Sequence, residues 1–354
     1  MSIISTSAST RGLAAKTGLV RRLAPALTLV LLALPLALPL LVTDTYSLHF
    51  IWKVLFWAVL AAAWNIAGGY AGLFSLGHAA FFGLGAYTSI LLYTVAGVSP
   101  WIGMLVGGVA ALCFSLVIGL LTLRLRGSFF ALATIAFAEV LRIAIVNGRG
   151  LTGGAEGLSV SFAPGLANMI FQDRASYVVL VAAVLFVIGA ITLLLERSAL
   201  GYSLAAMREN EDAAEALGID TVRVKLISIA ISAFLSAIAG TLYAFYILLI
   251  EPSTVLSIGF SVEIALIAII GGMGTVLGPL LGAILIVPLS EYLRAEFAAS
   301  FQGLYLLIYG SILIVMVVFL PNGLISAIRD PKSVLRRVRR RRASSSRSGE
   351  KADA

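Results

Sequence analysis

Trp101-Ile-Gly-Met-Leu-Val-Gly-Gly-Val-Ala-Ala-Leu-Cys-Phe-Ser-Leu-Val-Ile-Gly-Leu-Leu-Thr-Leu123 runs for 23 residues without a charged side chain. A helix needs about 20 mostly apolar residues to cross the hydrocarbon core of a bilayer. The apolar residues form a block rather than the one-sided stripe of a surface helix. In lipid the backbone must bond to itself, which makes such a block a helix. The alternation expected of a membrane β-barrel is absent.

Similar blocks recur outward from this one, at 23–43, 48–67, 79–96, 129–146, 177–195, 225–250, 261–274, 277–290 and 303–320. The sequence therefore predicts an all-α, polytopic membrane protein with eight to ten crossings. The spread comes from 261–290, where two short blocks flank Gly271, Gly272, Gly274 and Gly278 and read either as two crossings or as a re-entrant pair. Composition agrees: 60% of the residues are hydrophobic and 12% charged, and mean hydropathy is +1.04. A soluble domain carries about a quarter charged residues.

The net charge of +8 is concentrated in the tails. Residues 1–22 hold Arg11, Lys16, Arg21 and Arg22. Residues 326–354 hold Arg336, Arg337 and Arg339 to Arg342, beside Ser344, Ser345, Ser346 and Ser348, and read as a disordered anchor drawn to anionic headgroups. Neither tail has the folded or aromatic context that nucleic-acid binding requires. Cys113 is the only cysteine, so neither a disulfide framework nor a cysteine-based metal site is available, and no cofactor is implied. Leu23 to Val42 is too long for a signal peptide and reads as a retained first helix.

Lys and Arg stay on the cytoplasmic side of short loops. A cytoplasmic N-terminus puts Arg124 and Arg126 inside, and with them the loop 196–224, which carries Arg197, Arg208 and Arg223. The loop 147–176, with only Arg149 and Arg174 as basic residues, falls outside. The C-terminal tail returns to the cytoplasm. The expected organisation is thus two basic tails around a membrane domain, 23–325.

Within the inner loop, Gly201 to Gly218 reads as helical in its middle, with Gly218 as the stop. Asp212-Ala213-Ala214, three residues and Gly218 resemble the "EAA" loop of ABC-importer permeases, with Asp in place of Glu. Small alanines permit close approach, and Arg208, Glu209 and Glu211 supply a charged rim. The competing reading is a solvated linker helix.

Longer motifs extend the resemblance. Gly69-Tyr-Ala-Gly-Leu-Phe-Ser-Leu-Gly-His-Ala-Ala-Phe-Phe-Gly-Leu-Gly-Ala-Tyr87 resembles the signature of branched-chain amino-acid permeases of the LivM type. So do Leu123-Arg-Leu-Arg-Gly-Ser-Phe-Phe-Ala-Leu-Ala-Thr-Ile-Ala-Phe-Ala-Glu139 with Arg142, Leu151-Thr-Gly-Gly-Ala-Glu-Gly-Leu158, Gly271-Gly-Met-Gly-Thr-Val-Leu-Gly-Pro279 and Glu291-Tyr-Leu-Arg294. The resemblance covers about 60–325. It implies a non-enzymatic permease subunit of an ATP-driven importer for leucine, isoleucine and valine. The implied partners are a second homologous permease, ATP-binding subunits docked on the inner loop, and an extracytoplasmic binding protein. The chain contains no Gly-Lys pair and so cannot form a P-loop; ATP hydrolysis falls to partners. Related permeases serve urea, amides and other small polar solutes, and an ion-coupled secondary transporter would show similar broken helices.

Polar and glycine residues in apolar blocks are the pathway candidates: Asn65, Gly69, Gly72, Ser75, His78, Glu139, Arg142, Gly271, Gly272 and Gly274. Glu139 and Arg142 share a helix face and serve either as a packing or partner-contact pair or at the substrate. His78 either pins an irregular segment by a hydrogen bond or lines the path. Ser75 with His78 suggests an intramembrane hydrolase only if the ring reaches the hydroxyl. Glu291 and Arg294 are expected to pair. The two glycine clusters, around 68–77 and 271–278, either reflect an internal repeat with broken helices or permit close packing.

Overall fold

The computed structural model describes residues 25–122, 125, 127–297, 304–320 and 323–329. The N-terminal basic tail, residues 330–354 of the C-terminal one, Arg124 and Arg126 lie outside the described residues. Every expected apolar block is helical: α1 (Pro25–Leu41), α2 (Thr45–Asn65), α3 (His78–Ala96), α4 (Pro100–Thr122), α5 (Ser128–Asn147), α6 (Arg174–Glu196), α9 (Thr221–Ile247), α10 (Ile258–Gly272), α11 (Gly278–Phe297) and α12 (Leu304–Phe319). Between α6 and α9 lie the short α7 (Ala199–Glu209) and α8 (Glu211–Ala216), and α13 (Gly323–Arg329) follows α12.

Seven helical stretches among the described residues are long and apolar enough to cross a bilayer. Three more complete the expected ten blocks. Among the described residues α1 tightens into a 3-10 turn at Leu34–Ala37, α11 carries Glu291, Arg294 and Glu296 near its end, and α12 is described over Leu304–Phe319. Across 261–290 the chain forms a helical hairpin. A turn at Pro252–Val255 extends α10 into a stretch of 21 residues, and α11 adds 20, about 30 Å at 1.5 Å per residue. Both legs therefore have crossing length.

The helix ends follow local chemistry. Asp44 caps α2 by accepting from Ser47 N–H at 2.9 Å, and Asp173 caps α6 by accepting from Ala175 N–H at 3.0 Å. Asp220 accepts from Arg223 N–H at 3.0 Å and Ser257 from Phe260 N–H at 3.2 Å. Each side-chain oxygen satisfies an amide that the helix leaves without a partner.

α2 is the central helix. From Leu55 to Asn65 every residue is buried, as expected of a helix apolar all round. It packs against α6, α9, α10 and α11, while α3, α4 and α9 form a second tight group. Small residues allow that group to close: a Cβ on Gly240 would lie 2.0 Å from the Phe82 carbonyl. The outer faces of α4 and α5 expose Leu105, Val109, Leu120, Phe129, Leu132 and Val140, side chains suited to hydrocarbon rather than water. Outside the helices, β1 (Leu158–Ser159) pairs antiparallel with β2 (Leu249–Ile250), which ties the 147–176 loop to the end of α9.

Candidate functional site

Two interrupted helices meet at the centre of the chain. Beyond Asn65, α2 continues as a single π-helical turn, Ile66–Tyr70; such turns are rare and concentrate at functional sites. The backbone then reverses at Gly72, with φ +70°, before α3 begins. The second break separates α10 from α11 and turns at Gly274, also with φ +70°, a conformation that favours glycine.

Asn65 joins the two breaks. Only 1% exposed, it accepts from Gly274 N–H through Oδ1 at 2.8 Å and donates from Nδ2 to the Thr275 carbonyl at 2.9 Å. Gly69 makes the approach possible: a Cβ there would lie 2.5 Å from Gly274 N and 1.9 Å from Asn65 Oδ1. Gly271 does the same for the hairpin, where a Cβ would lie 1.9 Å from the Gly278 carbonyl. Gly272 holds φ +130° against Ile325 of α13.

The 196–224 loop reaches this crossing through Arg208. A Cβ on Gly72 would touch Arg208 Cγ at 3.7 Å, and one on Gly274 would lie 2.2 Å from Arg208 Nη1. The side chain thus spans both breaks. The helix expected in the middle of 201–218 is interrupted. It breaks at Asn210, at φ −159° and ψ 110°, whose Oδ1 accepts from Ala213 N–H at 3.0 Å. Asn is among the strongest N-capping residues, so it starts a second helix rather than prolonging the first. Gly218, at φ +86°, ends the pair as expected.

α8 is braced against α9. Glu211 pairs with Lys225, whose side chain is 6% exposed, and Thr221 Oγ1 donates to Glu215 Oε1 at 2.6 Å. Ala214 faces inward, while Glu209, Asp212 and Ala213 face outward. The sequence reading missed Leu217, 82% exposed beside Gly218. A leucine between Ala216 and the stop glycine was the available signal.

Ser75 and His78 are both fully buried but do not meet. His78 Nε2 bonds Ser232 Oγ at 2.7 Å. Since Ser232 Oγ–H donates to the Ala63 carbonyl at 2.7 Å, His78 is the donor in its bond. Ser75 Oγ instead accepts from Gly77 N–H at 3.3 Å. The geometry is that of pins holding an irregular segment, with no base at the hydroxyl.

Glu139 and Arg142 stand apart on α5. Arg142 Nε donates to Glu139 Oε2 at 2.9 Å, and the two side chains are about one-third exposed. Glu291 has Arg294 at 4.0 Å, as expected, but its nearer partner is Lys53 at 2.5 Å. Lys53 was also missed. A lone base in the 48–67 block and a lone acid in a later one were the signal, but nothing in the sequence placed α2 against α11.

The chain matches the family described as branched-chain amino acid transport system / permease component over residues 46–317. It is 29% identical to the high-affinity branched-chain amino acid transport system permease protein LivM of Salmonella typhimurium, over 85% of this chain and 75% of the relative. To LivM of Escherichia coli it is 31% identical, over 77% of this chain and 68% of the relative. It is also 30% identical to the L-arabinose transport system permease protein AraH of Escherichia coli, over 49% of this chain and 51% of that protein. No solved structure gives a significant match. The family match spans most of the chain and every helix of the Asn65 crossing: this polytopic, all-α membrane protein belongs to the permease component family of branched-chain amino acid transport systems.

Proposed function

We propose that the chain is one half of an ATP-driven import pathway for leucine, isoleucine and valine. In this reading it pairs with a homologous permease, receives cargo from a binding protein at the 147–176 face, and takes mechanical input from ATPase subunits at the 196–224 loop. Both termini and that loop face the cytoplasm. The observation that carries the reading is the position of Arg208. It belongs to the loop that would meet the ATPase, yet its side chain lies against Gly72 and Gly274, where two broken helices cross.

The chemistry follows from that position. Asp212, Ala213 and Leu217 on the outward side of α8 offer a docking surface with small residues for close approach. Movement of α8 is passed to α7 through Asn210 and to α9 through the Glu211–Lys225 pair. Through Arg208 it reaches the glycine crossing, where the Asn65 bonds are made or released. A branched-chain amino acid is a small zwitterion with an apolar side chain. Backbone groups freed at the two breaks when the Asn65 bonds are released can receive its charged ends in passing, while the surrounding Leu, Phe and Ala side chains accept the rest.

The similarity to an arabinose permease over half the chain supports a second reading, in which the cargo is another small polar solute. An ion-coupled mechanism has less support, because Glu139 is already engaged by Arg142 and lies away from the crossing. Uptake of labelled leucine into vesicles holding the complete complex separates these readings. Dependence on ATP and on the binding protein, with competition by isoleucine and valine, is the expected result. Uptake driven by an ion gradient alone, or no leucine uptake, would overturn the reading. In a Cys113→Ala background, Tyr202→Cys should label only from the cytoplasmic side and Ser159→Cys only from outside; the reverse would overturn the orientation.

A further inference from the structure

Between the Gly72 turn, the first turn of α5 and the α7–α8 junction lies a cavity of about 270 Å³. It sits on the loop side of the Asn65 crossing. One wall is apolar, formed by Phe74, Phe130 and Met207; the other carries Arg208, Glu211 and Lys225. Lys225 is almost completely buried and paired with Glu211, and Glu209 lies in the same lining. A buried charge persists only when it is paired and hydrogen-bonded, and Lys225 meets that condition through Glu211. Arg208, Glu209, Glu211 and Lys225 thus share one lining with Phe74, Phe130 and Met207.

That combination complements one ligand class. A free α-amino acid has a carboxylate for the bidentate guanidinium, an ammonium for a carboxylate oxygen, and, when its side chain is apolar, a group for the aromatic wall.

We propose that this cavity is a second binding site, for a free apolar α-amino acid arriving from the cytoplasm, and that its occupancy slows further import. The inference rests on the cargo reading above. A ligand bridging Arg208 and Glu211 would span Asn210, the break between α7 and α8, and hold both short helices against the Gly72 turn. A ligand that binds one arrangement better shifts the population toward it. Delivered product would thereby hold the coupling loop in the arrangement that keeps the crossing closed.

The test uses the complete complex in proteoliposomes with ATP inside and the binding protein outside. Initial uptake of labelled leucine is measured with and without unlabelled L-leucine in the lumen. Luminal leucine should reduce the wild-type rate by about fivefold or more, the usual range of allosteric coupling. Neither 4-methylpentanoate, which lacks the ammonium, nor isopentylamine, which lacks the carboxylate, should do so. Phe130→Trp, which fills the cavity, should import at the wild-type rate with an empty lumen and respond little to luminal leucine. The wild-type probes decide the matter even if that variant fails to assemble. An unchanged wild-type rate, equal suppression by 4-methylpentanoate, or a Phe130→Trp complex that responds like wild type would overturn the site. Absence of ATP-driven leucine uptake in the wild type would instead overturn the cargo reading, and the ligand assignment with it.

Discussion

Asn65 holds the backbone of Gly274 across the gap between two broken helices, accepting its N–H at 2.8 Å while donating to the next carbonyl at 2.9 Å. The bond joins residues 209 positions apart in the chain. It fixes the π turn after α2 against the hairpin of α10 and α11. Neither break has a regular ladder of its own at this point, so the carboxamide supplies what the helices lack.

Asn65→Leu should therefore cost about 1–3 kcal/mol, the usual penalty for leaving buried polar groups without partners. Gly69→Ala should act on the same contact from the other side, since its Cβ would meet Gly274 N at 2.5 Å. Both variants should melt at lower temperature in detergent and lose leucine uptake. Unchanged melting in both would show that the crossing is not a structural joint.

The Lys53–Glu291 pair links α2 to α11 within the bundle. Lys53→Met should destabilise the protein, because it leaves Glu291 with only the longer contact to Arg294 at 4.0 Å. Replacing both residues by Met should restore part of the loss, since an apolar pair often matches a buried ion pair in stability. The two side chains are 27% and 32% exposed, so the coupling in a double-mutant cycle should sit nearer 0.5 than 3 kcal/mol. Strict additivity of melting shifts would contradict the pairing.

Asp44, which caps α2 from outside the span, should give that helix a mild acid sensitivity. Hydrogen bonds from the Ser47 backbone and hydroxyl hold its carboxyl below the ordinary carboxylate value. A group with a depressed folded pKa stabilises fully above its unfolded pKa, and that contribution is lost as pH falls through the folded one. Near neutral pH, Asp44→Ala should melt below wild type, with Asp44→Asn between the two. As pH drops through the acidic carboxylate range, wild type and Asp44→Asn should converge. A gap between wild type and Asp44→Ala that is independent of pH throughout that range would contradict the account.

Most of the fold was legible because hydropathy needs no tertiary information. Blocks such as 101–123 and 129–146 became helices within a few residues of their expected ends. The hairpin over 261–290 was ambiguous because α10 draws its first turn from Pro252–Val255, and that proline obscured the continuity. Asn210 was read through because its neighbours are strong helix formers, while its own capping preference decided the break. The site was legible residue by residue but not as a unit. Asn65, Gly69, Gly72, Gly274 and Arg208 were each singled out, yet nothing local told that the loop arginine meets both glycine breaks. Lys53 with Glu291 went unread for the same reason: pairing across more than two hundred residues is set by helix packing.

The central claim is that Arg208 carries loop movement to the glycine crossing. The most direct measurement is the ratio of leucine imported to ATP hydrolysed by the reconstituted complex containing Arg208→Ala. The account predicts that the complex assembles and hydrolyses ATP while uptake falls by about tenfold or more, equivalent to roughly 1.4 kcal/mol of lost coupling. A wild-type ratio in that variant would contradict it.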